Sequence, residues 1–307
     1  VTAARVVARC PAKINLRLEV LGRRPDGYHE LRTVFQAVDL EDLLEIEPAE
    51  DLSLSVDDPS LSAGEDNLAM RAARALARAY GVERPGARMR LRKAIPAGGG
   101  LGGGSSDAAG ALLGLSRLWR LDASRDALAA VGATLGADVP FFLWGGTAFG
   151  GGRGDRIVPM PVIAETPVVL GIPPYGISTA EVYRRLEGVG PLTPQGGDVT
   201  VPALFHKLVA EKDFGLVTND LERVVLAGWP ELASFRGALL ATGARAAAVS
   251  GSGSTVFGLY DGALPSPRER ESLAERFPGW TIVGTRTVPH RARVEASGGD
   301  GTEERRG

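Results

Sequence analysis

In this 307-residue chain the run best suited to chemistry is Pro96-Ala97-Gly98-Gly99-Gly100-Leu101-Gly102-Gly103-Gly104-Ser105-Ser106-Asp107. Small residues between a strand and a helix let the backbone approach an anion closely, and the free N–H groups of the helix's first turn point at it. The chemistry on offer is phosphate binding. A flexible linker is the alternative, but this run opens directly into Ser106–Leu121, whose apolar spacing is helical. Gly98-x-Gly100-x-x-Gly103 also satisfies the dinucleotide pattern. It follows several expected strands, however, and the acidic residues some twenty positions on, Asp122 and Asp126, lie at a helix start rather than at a strand end. A Walker loop needs a lysine after its last glycine, and here Ser105 follows Gly104. Protein-kinase His-Arg-Asp and Asp-Phe-Gly signatures are absent. The histidines at 29, 206 and 290 and the cysteine at 10 have no metal-ligand spacing, which argues against a structural zinc.

The elements that must position this loop read as α+β. Residues 5–20 form an expected strand with Ile14, Leu16, Leu18 and Val20 on one face and Lys13, Asn15, Arg17 and Glu19 on the other. Arg24-Pro25-Asp26-Gly27 is a turn, and strands follow at 31–40, 52–56 and 87–93. Helices are expected at about 66–80, capped by Asp66 and ended by Gly81, at about 105–119, and at 122–135, opened by Asp122 or Ser124. Gly145–Gly154 reads as a turn-rich hairpin. Pro159, Pro161 and Pro167 mark a lobe boundary. Beyond it come a strand at 168–172, a Pro/Gly-rich loop at 188–202, helices near 203–213, 219–227 and 231–242, and a strand at 245–249. The loop Ser250-Gly251-Ser252-Gly253-Ser254, a strand at 255–260, a helix at 266–277 and a strand at 281–288 complete the pattern. The expected division is 1–160, 161–295 and a disordered tail at 296–307.

Composition bounds the function. With 35 basic and 37 acidic residues the net charge is −2, which gives no electrostatic footprint for nucleic acid. No apolar run approaches the ~20 residues needed to cross a bilayer, and the N-terminus does not read as a signal peptide. One cysteine excludes an internal disulfide, and together these features favour a cytoplasmic protein. Glycine, at 41 residues, is enriched over the usual ~7%, and its clustering is what singles out the loop.

The glycine run resembles the ATP-phosphate loop of the GHMP kinases, the superfamily of galactokinase, homoserine kinase and mevalonate kinase. Pro11-Ala12-Lys13-Ile14-Asn15-Leu16 and Arg24-Pro25-Asp26-Gly27-Tyr28-His29-Glu30-Leu31 narrow the resemblance. They are similar to the branch that phosphorylates the 2-hydroxyl of 4-diphosphocytidyl-2-C-methyl-D-erythritol in the non-mevalonate route to isoprenoid precursors. Asp66-Asn67-Leu68, Gly136-Ala137-Asp138-Val139-Pro140-Phe141, Asn219-Asp220-Leu221-Glu222 and Ser250–Ser254 continue it in the same order. The resemblance implies a two-lobed GHMP-kinase fold with the active site in the inter-lobe cleft, an ATP-dependent small-molecule kinase, and a cytidine diphosphate-linked substrate. It makes Asp138 the base and Lys13 its cationic partner. It makes Pro96 through Ser106 (Pro96, Ala97, Gly98, Gly99, Gly100, Leu101, Gly102, Gly103, Gly104, Ser105, Ser106) and Asn67 the ATP site. It also implies that Tyr28 stacks on cytosine, His29 bonds the base edge, Tyr183, four residues after Thr179, closes the other face, and Asn15 reaches the substrate's hydroxyl or phosphate region. Gly176-Ile177-Ser178-Thr179 departs from the proline-containing form of that loop. Mg²⁺ is implied with the nucleotide; Ser106 offers it a hydroxyl, and its ligands stay open.

Read without the resemblance, Asp138 is a cap for the segment beginning at Val139, Lys13 a solvated strand residue, Tyr28 part of a surface cluster and His29 an exposed turn residue. Gly251–Ser254 either approaches phosphate or the first loop, or is a tight strand connection. Homoserine and mevalonate kinases share the glycine loop but lack the Asp26-Gly27-Tyr28-His29 turn. A nucleotide-binding regulator needs neither Lys13 nor Asp138, and a dehydrogenase rests on the glycine pattern alone.

Overall fold

The computed structural model describes residues 5–161, 163–187, 189, 207–208 and 211–296. Most of the loop expected at 188–202, most of the helix expected at 203–213 and the tail beyond Ala296 lie outside the described residues. The elements run β1 (Val6–Arg23), β2 (His29–Glu47), β3 (Leu52–Val56), α1 (Leu68–Tyr80), β4 (Ala87–Arg92), α2 (Gly103–Leu118), α3 (Arg125–Ala133), α4 (Val139–Trp144), β5 (Thr147–Gly152) and β6 (Arg156–Met160). They continue with β7 (Pro167–Ile172), α5 (Thr179–Leu186), β8 (Thr218–Asn219), α6 (Glu222–Gly228), α7 (Pro230–Ala241), β9 (Ala246–Val249), β10 (Val256–Leu259), α8 (Pro267–Arg276), β11 (Thr281–Arg286) and β12 (Arg293–Ala296). No helix among the described residues is long and apolar enough to cross a membrane.

Two sheets organise the chain. The first has the order β12-β1-β2-β4-β3, with β5 on β2, β6 on β5 and β8 on β1. The second is the antiparallel β11-β7-β10-β9. Helices α1 to α4 cover the first sheet over a core that includes Leu44, Met89, Leu112 and Phe141, and α5 to α8 cover the second over Val169, Phe235 and Val249. A third apolar layer, Ile14, Leu16, Val34 and Val38 against Leu170, Ile172, Phe257 and Leu259, joins the two sheets directly.

Strand β1 is the axis of this arrangement, and its faces differ from simple alternation in two ways. Its apolar face does not serve one core: Ala8 and Cys10 pack under α2, Ile14 and Leu16 face the second sheet, and Leu18 and Val20 join the C-terminal cluster. Bulges at Pro11/Ala12 and Asn15/Arg17 re-aim the strand between them, which a strict period of two does not anticipate. The opposite face is polar but not wet, since Lys13, Asn15 and Glu19 are all buried. The division at 160/161 also needs revision, because the chain returns to the first sheet: β8 pairs with Arg17–Leu18 and β12 with Val6–Arg9. Ala296 is thus the end of a strand rather than the start of a tail.

Local signals account for most helix boundaries. α3 is capped by Ser124, not Asp122, and α8 carries a capping box from Ser266 to Glu269. α1 is capped by Asn67 rather than Asp66, whose carboxylate instead accepts from Ser62 Oγ. α2 begins at Gly103, earlier than expected, so the last glycines of the loop are already helical.

Candidate active site

The glycine loop, β1 and the loop after β9 converge on one cleft of about 920 Å³. Gly98, Gly100 and Gly102 take φ of +71°, +77° and +73°, a left-handed conformation that side-chain-bearing residues adopt at a cost. The path turns the loop over the N-terminus of α2, whose first residues, Gly103, Gly104 and Ser105, line the cleft, and the amides of a helix's first turn have no partner within the helix. Two backbone bonds hold it: Lys13 N donates to Leu101 O at 3.0 Å, and Thr255 N to Gly99 O at 3.0 Å. The second glycine loop closes on the first. Ser250 Oγ donates to Gly100 O at 2.9 Å, and a Cβ on Gly100 would lie 2.2 Å from Ser250 O. Asn219 fixes that second loop, its Nδ2 donating to Val249 O and Gly251 O while its Oδ1 accepts from Leu221 N.

On the floor of the cleft lies Lys13, its side chain 4% exposed and its Nζ 3.7 Å from Asp138 Oδ2; Asp138 is 33% exposed. Lys13 Nζ donates to Asn15 Oδ1 at 2.6 Å, Asn15 Nδ2 donates to Thr33 Oγ1 at 2.7 Å, and Thr33 Oγ1 donates to Arg17 O at 2.7 Å. The Phe35 ring lies 5.7 Å from Nζ. Burial pushes the Lys13 ammonium below the ordinary lysine range, and the Asp138 carboxylate opposes that shift. Asp138 stands at the N-cap position of α4 yet makes no capping hydrogen bond. Its carboxylate faces the cleft instead.

At the far end, Tyr28 is 57% exposed on the turn between β1 and β2, with the Arg153 guanidinium 4.9 Å from its ring. His29 and Tyr183 stack at 4.6 Å with 25° between planes. Partial burial lowers the His29 pKa, and burial aided by the Asp138 charge raises that of Tyr183, so at neutral pH the phenol keeps its proton. Thr179 Oγ1 shares a 2.8 Å hydrogen bond with Ser252 Oγ.

Lys13, Asn15, Tyr28, His29, Asp138, Thr179 and Tyr183 thus line one cavity with Pro96–Gly100 and Gly102–Ser105. Three expected ATP-site residues stand outside it. Leu101 is buried in the layer between the sheets, where an apolar side chain anchors the loop from behind. Ser106 is fully buried with its hydroxyl donating to Pro11 O at 2.7 Å, so it is not available to an ion; Ser105 is the serine that faces the cleft. Asn67 spends its amide on capping α1 and on Ser62 O, and Leu68 lines the cavity beside it. Sequence reasoning missed Thr33, Phe35 and Arg153, because their roles depend on which strand lies beside β1 and no local pattern carries that. Outside the cleft, His290 comes together with Asp39 and Glu41, but Glu41 there is held by the Arg293 guanidinium.

Residues 67–146 match the GHMP kinases N terminal domain, and residues 203–279 match the GHMP kinases C terminal domain. A 4-diphosphocytidyl-2-C-methyl-D-erythritol kinase of Pelotomaculum thermopropionicum is 44% identical over 83% of this chain and 88% of its own length. One from Salinispora arenicola is 43% identical over 87% of each. A crystal structure of 4-(cytidine 5'-diphospho)-2C-methyl-D-erythritol kinase superposes with a TM-score of 0.76 at 38% identity, covering 92% of this chain and 99% of that one. A homoserine kinase from Cytophaga hutchinsonii, at 19% identity and a TM-score of 0.70, shares the fold. With this degree of identity along nearly the whole of its relatives, the chain belongs to the 4-diphosphocytidyl-2-C-methyl-D-erythritol kinase family of GHMP kinases.

Proposed function

We propose that the chain transfers the γ-phosphoryl group of ATP to the 2-hydroxyl of 4-diphosphocytidyl-2-C-methyl-D-erythritol, giving the 2-phosphate and ADP. The observation that carries this reading is the placement, in one cleft, of the buried Lys13 ammonium paired with the partly exposed Asp138 carboxylate, between a glycine loop and a turn bearing Tyr28 and His29. An alcohol is a poor nucleophile, and the kinase must remove its proton while charge moves onto the transferred group. Asp138 takes the hydroxyl proton. Lys13, held by Asn15 and Asp138 and shielded from water, stabilises the developing alkoxide and the equatorial oxygens of the phosphoryl group. Its low exposure strengthens that interaction, because little solvent screens it. The amides of Gly98–Ser105 hold the nucleotide phosphates, and Tyr28, His29 and Tyr183 receive the cytosine, with Asn15 and Thr179 between the two ends.

Mg²⁺ fits this cleft as an ion that arrives on the nucleotide. Among the described residues beside the loop, the chain offers the half-exposed carboxylate of Asp138 rather than a cage of oxygen ligands, and Mg²⁺ ordinarily keeps several waters and binds through phosphate oxygens. Bound there, it would neutralise phosphate charge. A cytoplasmic location accords with the single buried thiol, Cys10.

The test is ATP-dependent phosphorylation of the cytidyl alcohol beside mevalonate and homoserine, for the wild type and Asp138→Asn. Turnover is expected with the cytidyl substrate alone. In the variant kcat should fall by about 10²–10⁴ while nucleotide affinity stays within several-fold. Turnover of mevalonate or homoserine, or an undiminished kcat in the variant, would refute the assignment.

A further inference from the structure

Directly beneath the glycine loop, outside the cleft, lies a buried group of charges that the reaction does not use. Lys93, just after β4, places its Nζ between Asp42 of β2 and Asp107 of α2, at 2.7 Å from the Asp107 Oδ2. Asp42 Oδ1 also accepts from Ala94 N at 2.6 Å and Ile95 N at 2.8 Å, the residues that enter the loop. The ammonium lies close under the first residue of α2, since a Cβ on Gly103 would sit 3.2 Å from Nζ. One lysine therefore ties the start of the loop, through Asp42, to the helix that ends it, through Asp107. The charges do not balance: with both carboxylates ionised the group carries one net negative charge, out of reach of water, below the place where anionic phosphates bind. Asp107 Oδ1 is buried without a hydrogen-bond partner, so of the two carboxyls Asp107 is the one whose ionised form is left unsatisfied.

We propose that the Asp42–Lys93–Asp107 group is a clamp that positions the phosphate loop, and that nucleotide binding is coupled to uptake of a proton by the Asp107 carboxylate. The proposal rests on reading the glycine run as the nucleotide site. A phosphate group above the loop raises the cost of an uncompensated negative charge below it, and placing a proton on the Asp107 carboxylate removes that charge. Burial first of all, helped by the Asp42 carboxylate and opposed by the Lys93 ammonium, leaves the Asp107 pKa pushed up to about 7. The titratable groups facing it are Lys93, Asp42 and the buried Cys10 thiol, which burial and these carboxylates push well up and keep protonated. The sign follows from linkage. Binding an anion raises the carboxyl's pKa, so affinity is full where Asp107 is protonated in the free protein and declines as pH rises through the bound-state value. The decline amounts to about tenfold for each pH unit by which the bound-state pKa exceeds the free one.

The experiment is calorimetric titration with ADP at about pH 8, where the diphosphate has lost its last proton, repeated in buffers of different ionisation enthalpy. The wild type is expected to take up a measurable fraction of a proton, more than about 0.3 per nucleotide bound. Asp107→Asn should bind without uptake and with an affinity less dependent on pH. Asp42→Asn, which leaves Asp107 alone with Lys93, should also lose most of the uptake, and it tests the idea if the first variant does not fold. A purely structural role would change affinity without changing the proton count. Equal uptake in wild type and variants, or none in the wild type, overturns the proposal while leaving the kinase reading intact; failure of ADP to bind at all overturns both.

Discussion

Substituting alanine for Gly100 separates a loop that merely passes near its neighbour from one locked to it. The backbone at Gly100 has φ of +77°, and the left-handed region costs an alanine about 1–2 kcal/mol. The new Cβ would also lie 2.2 Å from Ser250 O and 2.9 Å from Gly253 O, both backbone atoms in a loop pinned by Asn219. Forced displacement of packed atoms of this kind costs about 1–3 kcal/mol. Together the two effects predict a loss of about 2–5 kcal/mol, divided between global stability and the geometry of the phosphate site. Urea unfolding, read as a lowered midpoint at unchanged slope, measures the first share. A nucleotide titration on the folded variant measures the second, where about 1.4 kcal/mol corresponds to tenfold in affinity. Gly171→Ala is the control: its Cβ would meet the Phe235 ring at 1.9 Å in the C-terminal core, so it should destabilise the protein yet leave nucleotide affinity of the folded protein unchanged. A Gly100 variant with wild-type midpoint and wild-type affinity would refute the contact between the two loops and the role drawn from it.

Other consequences are equally measurable. Tyr28→Ala and Tyr183→Ala should raise KM for the cytidyl substrate by the equivalent of about 1–3 kcal/mol each, with KM for ATP unmoved, because base stacking on an aromatic ring has that magnitude. Since partial burial holds the His29 pKa below the usual histidine value, its imidazole is neutral at pH 7. Substrate affinity should therefore be level above neutrality and change only as pH falls below the ordinary histidine range, a dependence that His29→Asn should remove. Asn219→Ala leaves two carbonyls and one amide without partners and should cost about 2–4 kcal/mol in chemical denaturation, with a larger KM for both substrates as the Gly251 loop loosens.

The outcome along the chain shows which kinds of order are written locally. The turn at 24–27 and the serine-capped helices α3 and α8 rest on sequence-adjacent chemistry, and there the expected elements lie close to where the structure has them, whereas α5, although capped by Ser178, answers to no expected element. The faces of β1 were half legible: its alternation was plain, but two bulges and three different neighbours decide which core each apolar residue joins. Lys13 and Asn15 read as a polar face, and Lys13 without the resemblance as a solvated one; their burial follows from Thr33, Phe35 and Asp138, which arrive from elsewhere in the chain. Ser106 and Asn67 illustrate the converse. Both are of the right type for the site, yet backbone groups have already taken their hydrogen bonds, Pro11 O of β1 for Ser106 and Ser62 O and Ala69 N for Asn67.

The course of β1 also bears on how the protein comes into being. Its edge is completed by residues 218–219 and 293–296, made long after the strand itself. Until those segments emerge, the strand carrying Lys13 and Asn15 has open hydrogen-bonding groups at both Val6–Arg9 and Arg17–Leu18, a surface prone to mispairing with other chains. A nascent N-terminal portion is therefore an unfinished sheet rather than a free-standing unit, and competence to bind nucleotide should appear only late in synthesis. A break in the chain before Arg293 would leave not a trimmed enzyme but one with its first strand unsealed.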